Sequence, residues 1–582
     1  MSTLRLVLAQ LNMTVGDIGG NSRQIEAGLE EARSLGADIV VFPEMAIIGY
    51  PAEDLLLKPD FIRTARDALD GLRPATRGLI AIIGLPYAVA DAAHALYNVA
   101  AVLQDGELVN LYRKQYLPNY GVFDEQRYFQ SGDASPVFRL GDVRFGLSIC
   151  EDIWYPDGPH RRQALQGGAQ LLINISASPY RIGYGLERER LMAKRAADNN
   201  AFLAYCNLVG GQDELLFDGH SLVCSPDGEI IARGSQFEPA LIAVDLDLGQ
   251  VKRLRIQDPG RRQEAGEAKS DDELIDIELT AAQKPVREPV KAFVAEPLKY
   301  EAEVYSALAL GTRDYVRKNG FRNVVLGLSG GVDSSLTAAI AVEAIGPANV
   351  VGVAMPSRYS SGHGLDDAAT LAHNLGIDYR VIPIDGTYQA FLDMVAEPFA
   401  GLKPDTAEEN IQARIRGTLL MALSNKFGWL VLTTGNKSEV AVGYSTLYGD
   451  SAGGFSVLKD VPKMLVYELC QHVNSLGRQP VIPERVLKKA PSAELRPDQR
   501  DSDSLPEYEI VDPVMRAYIE ENLTAGEIAE RGFERQDIER ILQLIDNSEF
   551  KRRQSPPGIK ITPRAFGKDW RLPITNAYRP YG

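Results

Sequence analysis

The stretch VVLGLSGGVDSSLT, Val324 to Thr337, sets an apolar run, a Gly-Ser turn and a helix start in direct succession. Val324, Val325 and Leu326 read as a buried strand, and Leu336–Val342 as a helix. Between them, Gly330 and Gly331 let the backbone take positive φ and approach a ligand closely. Ser334 and Ser335 are favoured N-cap and first-turn residues. A strand, a Gly-Ser loop and a helix N-terminus make an anion site, because free backbone N–H groups and the helix dipole point the same way. No Lys follows the glycines, which excludes the GxxxxGK[ST] phosphate loop. Asp333 lies inside the turn instead, a residue suited to Mg²⁺ beside phosphate oxygens.

Working outward, the second half alternates strand and helix. Val350–Met355, Tyr379–Ile384 and Trp429–Thr434 read as strands, and Asp366–Leu375 and Glu408–Phe427 as helices. This spacing predicts a doubly wound, mostly parallel sheet whose first helix is Glu301–Lys318. Four further segments carry chemistry. ENIQARIR (Glu409–Arg416) holds Asn410, Arg414 and Arg416, which fit an anion or amide and equally fit a polar helix face. TTGNKSEVAVGYSTLY (Thr433–Tyr448) follows a strand end and places Glu439 to share a cation with Asp333. YGDSAGGFSVLKDVPK (Tyr448–Lys463) reads as a mobile Gly-rich loop that closes over substrate, and EFKRR (Glu549–Arg553) adds cations near the C-terminus.

The first half, to about Leu254, has short apolar runs at Leu4–Leu11, Ile39–Phe42, Leu79–Ile83, Asn98–Leu103, Phe145–Ile149, Leu171–Ile175 and Phe202–Cys206. Polar helical stretches such as Asn21–Leu35 and Leu186–Asn199 separate them, again an α/β alternation. Three runs end in Glu44, Lys114 and Cys150. Sites gather beyond the carboxyl ends of strands. There a thiol serves as nucleophile, a carboxylate takes its proton and a lysine stabilises an oxyanion. A thiolate beside Lys114 is expected to have a lowered pKa.

At 582 residues the chain exceeds a single core. The expected division is 1–254, a breaker-rich connector at 255–300 with Pro259, Gly260, Pro285 and Pro289, and 301–582. A net charge of −16 argues against broad binding to nucleic acid or anionic membranes. The four cysteines (Cys150, Cys206, Cys224, Cys470) form no CxxC pair, so neither a structural zinc nor a disulfide framework is indicated. No long signal-type run or membrane span is evident, and the cytoplasm is the expected compartment. The sequence does not fix an oligomeric state; a homo-oligomer is the working expectation.

The SGGVDS loop resembles that of the N-type ATP pyrophosphatases, which implies attack of a substrate oxygen on the α-phosphate of ATP, an adenylate and released pyrophosphate. With ENIQAR and GNKSE, the match over about 300–565 is to the NAD synthetases. By that resemblance Gly327, Leu328, Ser329, Gly330, Gly331, Val332, Asp333 and Ser334 cradle ATP, and Thr434 and Lys463 contact it. Asp333 and Glu439 hold Mg²⁺. Asn410, Glu439, Lys551 and, less firmly, Arg414 face deamido-NAD. Leu447 stands where ammonia-only members often carry Lys; the TLYGD form resembles the glutamine-dependent group.

FPEMAIIGYPAEDLL, YRKQYLPNYGVFDEQRYF and GLSICEDIWYP resemble the segments of the nitrilase-type amidases, over about 3–248. This implies a four-layer αββα sandwich with Glu44 as base, Lys114 as oxyanion stabiliser and Cys150 as nucleophile. LPNYGVFDE is similar to the glutamine-amidase branch, which implies glutamine contacts from Tyr120, Ser178 and Tyr184; the last position is often basic in relatives. Together the resemblances imply glutamine, ATP and deamido-NAD as substrates, with an enclosed path sparing ammonia from protonation. Another amidotransferase-linked ATP pyrophosphatase, such as a tRNA-modifying enzyme, would need a basic face or an RNA-binding appendage, and neither is visible. A first half reduced to a scaffold would not need an intact Glu44, Lys114 and Cys150.

Overall fold

The computed structural model describes residues 3–89, 95–267, 275–280, 287–492, 494–497 and 499–579. The chain divides into two compact units, Met1–Gln212 with Leu216–Leu298, and Asp213–Leu215 with Lys299–Gly582. Residues 268–274 and 281–286 of the expected connector, Ser270 and Pro285 among them, lie outside the described residues. Its described parts fold with the first unit: a helix at Pro259–Glu267, and a strand at Asp276–Leu279 that pairs in parallel with Val137–Leu140. Among the described residues no helix is long and apolar enough to cross a membrane.

The first unit stacks two sheets. One has six strands in the order Ala240–Asp247, Thr3–Gln10, Ile39–Val41, Ile80–Ala88, Leu96–Gln104, Glu107–Arg113. The other has seven, in the order Ile230–Arg233, Leu222–Cys224, Phe202–Asn207, Leu171–Ser176, Val143–Ile149, Val137–Leu140, Asp276–Leu279. Strand side chains alternate faces. Leu171, Ile173 and Ile175 therefore join one core with Phe145, Leu147, Leu6, Leu8, Val41 and Ile82. Leu172 and Leu203 face the other way and pack against Ala164, Met192 and Ala196 of the helices Pro159–Leu165 and Tyr184–Asn199. The helices Ile18–Ser34 and Pro59–Leu72 bury apolar faces beside the first sheet. The result is the αββα sandwich. Burial on both faces explains why these strands read as unbroken apolar runs rather than alternating ones.

The second unit holds a five-stranded sheet, parallel throughout, in the order Asp378–Val381, Val350–Ala354, Val324–Gly327, Leu430–Thr433, Phe455–Ser456. Val324–Gly327 pairs with a strand just after it on one side and with Leu430–Thr433, about a hundred residues on, on the other. The strand order reverses here, and both chains leave the sheet at the same carboxyl edge. The helix Val332–Ile345 packs between Tyr300–Lys318 and Lys463–Leu476. On the opposite face, Ile415 and Leu420 of Thr406–Phe427 pack with Val325, Val351, Val353 and Val431. C-terminal helices Tyr508–Ile519 and Arg535–Asn547 make a further cluster with Val442, Phe566 and Trp570.

Two local expectations change. The N-cap of Val332–Ile345 is Gly331, with no side-chain capping bond. Ser334 and Ser335 lie inside the first turn and turn their hydroxyls back to the Gly331 carbonyl, at 3.0 and 2.8 Å. No side chain thus competes for the leading N–H groups. The Gly-rich stretch after Tyr448 is packed down, not free. Phe455–Ser456 extends the sheet. A Cβ on Gly449 would stand 2.9 Å from that of Ala413, and one on Gly453 2.5 Å from Thr433 Cγ2. These glycines permit close approach rather than hinge motion.

Ile173 is 1% exposed at the centre of the two-sheet core. Ile173→Ala is expected to cost about 2–5 kcal/mol, read as an earlier urea transition of the first unit. An unchanged midpoint would refute the two-sheet packing.

Candidate active sites

In the first unit the strands Ile39–Val41, Glu107–Arg113 and Val143–Ile149 end near one another and deliver Glu44, Lys114 and Cys150, all buried. Lys114 Nζ donates to Glu44 Oε1 at 2.8 Å and to Glu125 Oε1 at 2.9 Å. Asn98 Nδ2 (2.6 Å) and the Ala177 N–H (2.8 Å) donate to the two Glu44 oxygens, fixing the carboxylate. Tyr50 OH donates to Glu125 at 3.0 Å. Two of the three ammonium N–H groups are engaged, which leaves one for a reacting oxygen.

The thiol does not behave as the sequence suggests. Its pKa is raised well above the ordinary 9.0, first by burial and then by the Glu44 charge, with Lys114 opposing. The lysine's charge does not outweigh burial and the Glu44 charge. Burial works to discharge Lys114 itself; Glu125 and Glu44 outweigh it and hold the ammonium charged. Glu125 is pushed up to about 7 by burial and the nearby Glu44 charge, against Lys114. The resting site is thus a neutral thiol beside a carboxylate and an ammonium.

Two features hold this geometry. Asp152, in the short turn Cys150–Ile153, accepts from Tyr112 OH (2.6 Å), the N–H groups of Gln115 (3.0 Å) and Tyr116 (2.9 Å), and that of Ile149 (2.9 Å). It ties the strand that delivers Lys114 to the turn that carries Cys150. Gly84 lies against the other partner: a Cβ there would come within 2.7 Å of Glu44 Cα and 2.4 Å of the Pro43 carbonyl. Met45 and Cys150 both sit at positive φ, 55° and 44°. Such backbone is costly for non-glycine residues and clusters at functional sites.

Around the thiol, Tyr120 is 59% exposed and donates to both Glu151 oxygens at 3.0 Å. Tyr184 stacks on Trp154, with centroids 5.7 Å apart, and Arg181 lies 4.3 Å over its ring. Both tyrosines lie close enough to Cys150 that a thiolate there would raise them further. Ser178 is buried; its N–H donates to Asn207 at 2.9 Å and its carbonyl accepts from Arg188 at 3.3 Å. Glu125, Asn98, Asp152 and Gly84 were not singled out from sequence. Glu125 lies inside a quoted motif, but nothing in its spacing marks it as the second partner of Lys114.

In the second unit a cavity of about 610 Å³ opens at the strand-order reversal. Gly327, Leu328, Ser329, Gly331, Val332, Asp333, Ser334, Asn410, Thr434, Glu439, Lys463 and Lys551 all line it. Gly330 and Arg414 do not. Gly330 has φ +76°, and a Cβ there would meet the Gly364 carbonyl at 2.3 Å, so its role is the turn itself. Arg414 Nε donates to the Leu447 carbonyl at 3.2 Å. Its neighbour Arg416 lines the cavity instead, half-buried, with Nε on the Met355 carbonyl at 3.1 Å.

Lys463 Nζ bridges Asp333 Oδ2 at 2.5 Å and Glu439 Oε1 at 3.2 Å. Asn436 Nδ2 donates to Asp333 Oδ1 at 2.8 Å, and its side-chain oxygen caps the Glu439 N–H at 3.0 Å. Burial, with the Asp333 charge, pushes Glu439 up to about 8 against Lys463. Among the described residues no three His, Cys, Asp or Glu side chains gather as a metal set. At the cavity's far side Asn410 Oδ1 accepts from Thr446 Oγ1 at 2.6 Å, and Lys551 Nζ donates to the carbonyls of Gly443 and Ser445 at 2.6 and 2.8 Å.

Comparison with known proteins matches each unit to a family. Residues 5–256 match the carbon-nitrogen hydrolases and residues 304–555 match NAD synthase. Glutamine-dependent NAD(+) synthetases of Thermotoga maritima and Aquifex aeolicus are 48% and 49% identical, covering 100% and 99% of this chain and 100% of each relative. The solved glutamine-dependent NAD+ synthetase of Acinetobacter baumannii, in complex with ADP, is 38% identical over 99% of both chains with a TM-score of 0.74.

Gly84→Ala is expected to lower amide hydrolysis on the order of 100-fold by displacing Glu44, with the unit still folded by circular dichroism; a normal rate would remove Gly84 from the site. Because the Cys150 thiol is raised, its alkylation by iodoacetamide should be slower at pH 7 than that of free cysteine and should still climb above pH 9. Peptide mass spectrometry would report this, and a plateau at pH 7–8 would contradict it.

Proposed function

The chain belongs to the glutamine-dependent NAD(+) synthetases, and we propose how its own residues share that reaction. Overall it hydrolyses glutamine to glutamate and ammonia, and uses ATP to convert deamido-NAD(+) to NAD(+), AMP and pyrophosphate. In our reading the Cys150 sulfur attacks the side-chain amide carbon of glutamine as Glu44 takes the thiol proton. A base beside the thiol is required because the resting thiol is neutral. The remaining Lys114 N–H donates to the tetrahedral oxyanion. Glu44 returns the proton to the leaving nitrogen, ammonia departs and a thioester forms. Water, activated by the same carboxylate, releases glutamate. Tyr120 with Glu151, Ser178 and Tyr184 frame the amino-acid end of the substrate.

In the second unit the nicotinate carboxylate of deamido-NAD attacks the α-phosphorus of ATP and pyrophosphate leaves. Ammonia then attacks the acyl carbon and AMP departs. Adenylation is needed because a carboxylate is a poor electrophile and AMP a good leaving group. The uncapped start of Val332–Ile345 and the Gly327–Ser334 turn supply N–H groups for phosphate oxygens. Thr434 reaches ATP from the end of the neighbouring strand and Lys463 from the first turn of the helix Lys463–Leu476, and Asn410, Glu439 and Lys551 face the dinucleotide. The observation that carries this reading is Lys463 held between Asp333 and Glu439, a pair of carboxylates that requires cations. Asp333 and Glu439 would hold Mg²⁺, and the ion would neutralise charge developing on the phosphates. Arg414 retains a role through the Leu447 loop rather than at the cavity wall. A cytoplasmic homo-oligomer completes this reading; it is supported by the nature of the substrates and is tested by fractionation and light scattering.

Cys150→Ala, Glu44→Ala and Lys114→Ala should each lose NAD synthesis from glutamine yet keep it with ammonium salt at mildly alkaline pH. Retained glutamine-driven synthesis in Cys150→Ala would remove it as nucleophile. Loss of the ammonia reaction in a folded variant would show that the two chemistries are not separable.

Asp333→Asn and Glu439→Gln should abolish synthesis from either nitrogen source, and near-normal NAD formation at ordinary Mg²⁺ would sink their assignment. Lys551→Ala should raise KM for deamido-NAD by about 1.5–3 kcal/mol of lost charged contact and leave that for ATP nearly unchanged. Equal effects on both would point to a structural role for this segment.

A further inference from the structure

The segment Asn436–Glu439 gives three of its side chains to the ATP site. Asn436 holds Asp333, Ser438 Oγ accepts the Lys463 N–H at 2.9 Å, and Glu439 takes the Lys463 ammonium. The fourth, Lys437, points the other way and is 0% exposed. Its Nζ contacts Asp460 Oδ1 at 2.9 Å, Glu520 Oε1 at 2.7 Å, Thr562 Oγ1 at 2.6 Å and the Arg564 carbonyl at 3.0 Å. Burial works to discharge it; Asp460 and Glu520 outweigh this and keep it charged. Thr562 and Arg564 lie beyond residue 555, where the NAD synthase match ends.

This C-terminal stretch is built into the unit. The Ser456 N–H donates to the Pro557 carbonyl at 2.8 Å, and Gly558 forms a parallel bridge with Ser456. A Cβ on Gly558 would stand 2.4 Å from the Ser456 carbonyl, so the contact needs glycine. Asp460 then accepts from the N–H groups of Ile561 and Thr562 at 2.8 and 2.7 Å and from Thr562 Oγ1. Thr562 Oγ1 thus donates to Asp460 and accepts from Lys437.

We propose that Lys437 is a positioning residue for adenylation, and that residues 558–564 serve as its socket: through Lys437 they set where Asn436, Ser438 and Glu439 hold Asp333 and Lys463. This rests on the assignment of Asp333, Glu439 and Lys463 to ATP. Six residues of helix, Lys437–Val442, are too short to hold these side chains without an anchor. The Lys437 ammonium provides one from beneath, where only an exactly matched set of acceptors can compensate it.

The test uses the full chain, with ammonium salt as nitrogen source so that the first unit's chemistry is not read. Lys437→Met strips the cation from Asp460 and Glu520, and the variant is vulnerable to misfolding. Thr562→Val, which removes only the bridging hydroxyl, is therefore the primary variant, with Thr562→Ser as its rescue. Thr562→Val should lower kcat about ten-fold, raise KM for ATP more than that for deamido-NAD, and recover in Thr562→Ser. Faster deuterium uptake at 436–439, with uptake at Val324–Gly327 unchanged, should accompany it. Normal kinetics in Thr562→Val, or equal rises in both KM values with a lowered unfolding midpoint, would overturn the proposal. Asp333→Asn run alongside separates the two readings: if it stays active, the ATP-site assignment has failed; if it is dead while Thr562→Val is normal, only the socket has.

Discussion

A buried ammonium cannot remain charged unless carboxylates replace the water it has lost. Three of the described lysines meet that constraint in the same way. Lys114 is held by Glu44 and Glu125, Lys463 by Asp333 and Glu439, and Lys437 by Asp460 and Glu520. In each case the two acids arrive from different parts of the chain, so the cation also fixes how those parts meet. Removing one acid from such a cluster would leave a charge uncompensated at about 3–5 kcal/mol. That is ample reason for the geometry to be rigid before any substrate binds.

The same arrangement does different chemistry in the two units. Beside Cys150, burial first and then the Glu44 charge raise the thiol against the pull of Lys114. An isolated Lys–Cys pair would lower the thiol pKa, which is what the sequence suggests when Lys114 and Cys150 are read without Glu125. In the proposed reaction the cation would serve the oxyanion that appears later, and proton transfer would fall to Glu44. In the second unit the cluster faces a cavity, and in the proposed reaction its two acids and one lysine would exchange partners with a polyphosphate and a cation.

The fold was legible because the seven-stranded and five-stranded sheets are buried on two faces, so their strands appear as plain apolar runs such as Leu171–Ile175 and Val324–Leu326. Residues placed just after apolar runs stood out for the same reason: Glu44, Lys114, Cys150 and Thr434 follow such runs, and Asp333 follows one after the Gly-Ser turn. What escaped has no such marker. Glu125 comes from a short turn eleven residues after Lys114, and Asn98 lies mid-strand. Asp152 looks like one acid among several until its four hydrogen bonds are seen. Gly84 sits in an apolar strand where only the approach of the Glu44 backbone explains it. The Gly-rich run after Tyr448 misled in the opposite direction, since glycine marks close packing as readily as motion.

Lys437 shows why the rest could not be read locally. It lies inside GNKSE, between residues that face the cavity, yet its partners are drawn from Asp460, Glu520 and Thr562. A six-residue helix with alternating duties cannot bury a lysine on one side and present a glutamate on the other unless distant chain supplies the acceptors. The catalytic edge of the parallel sheet therefore depends on residues that touch no substrate and come from the end of the chain. The strand-order reversal selects where the site is, and the buried cation behind it selects the shape in which Asp333, Glu439 and Lys463 are held there.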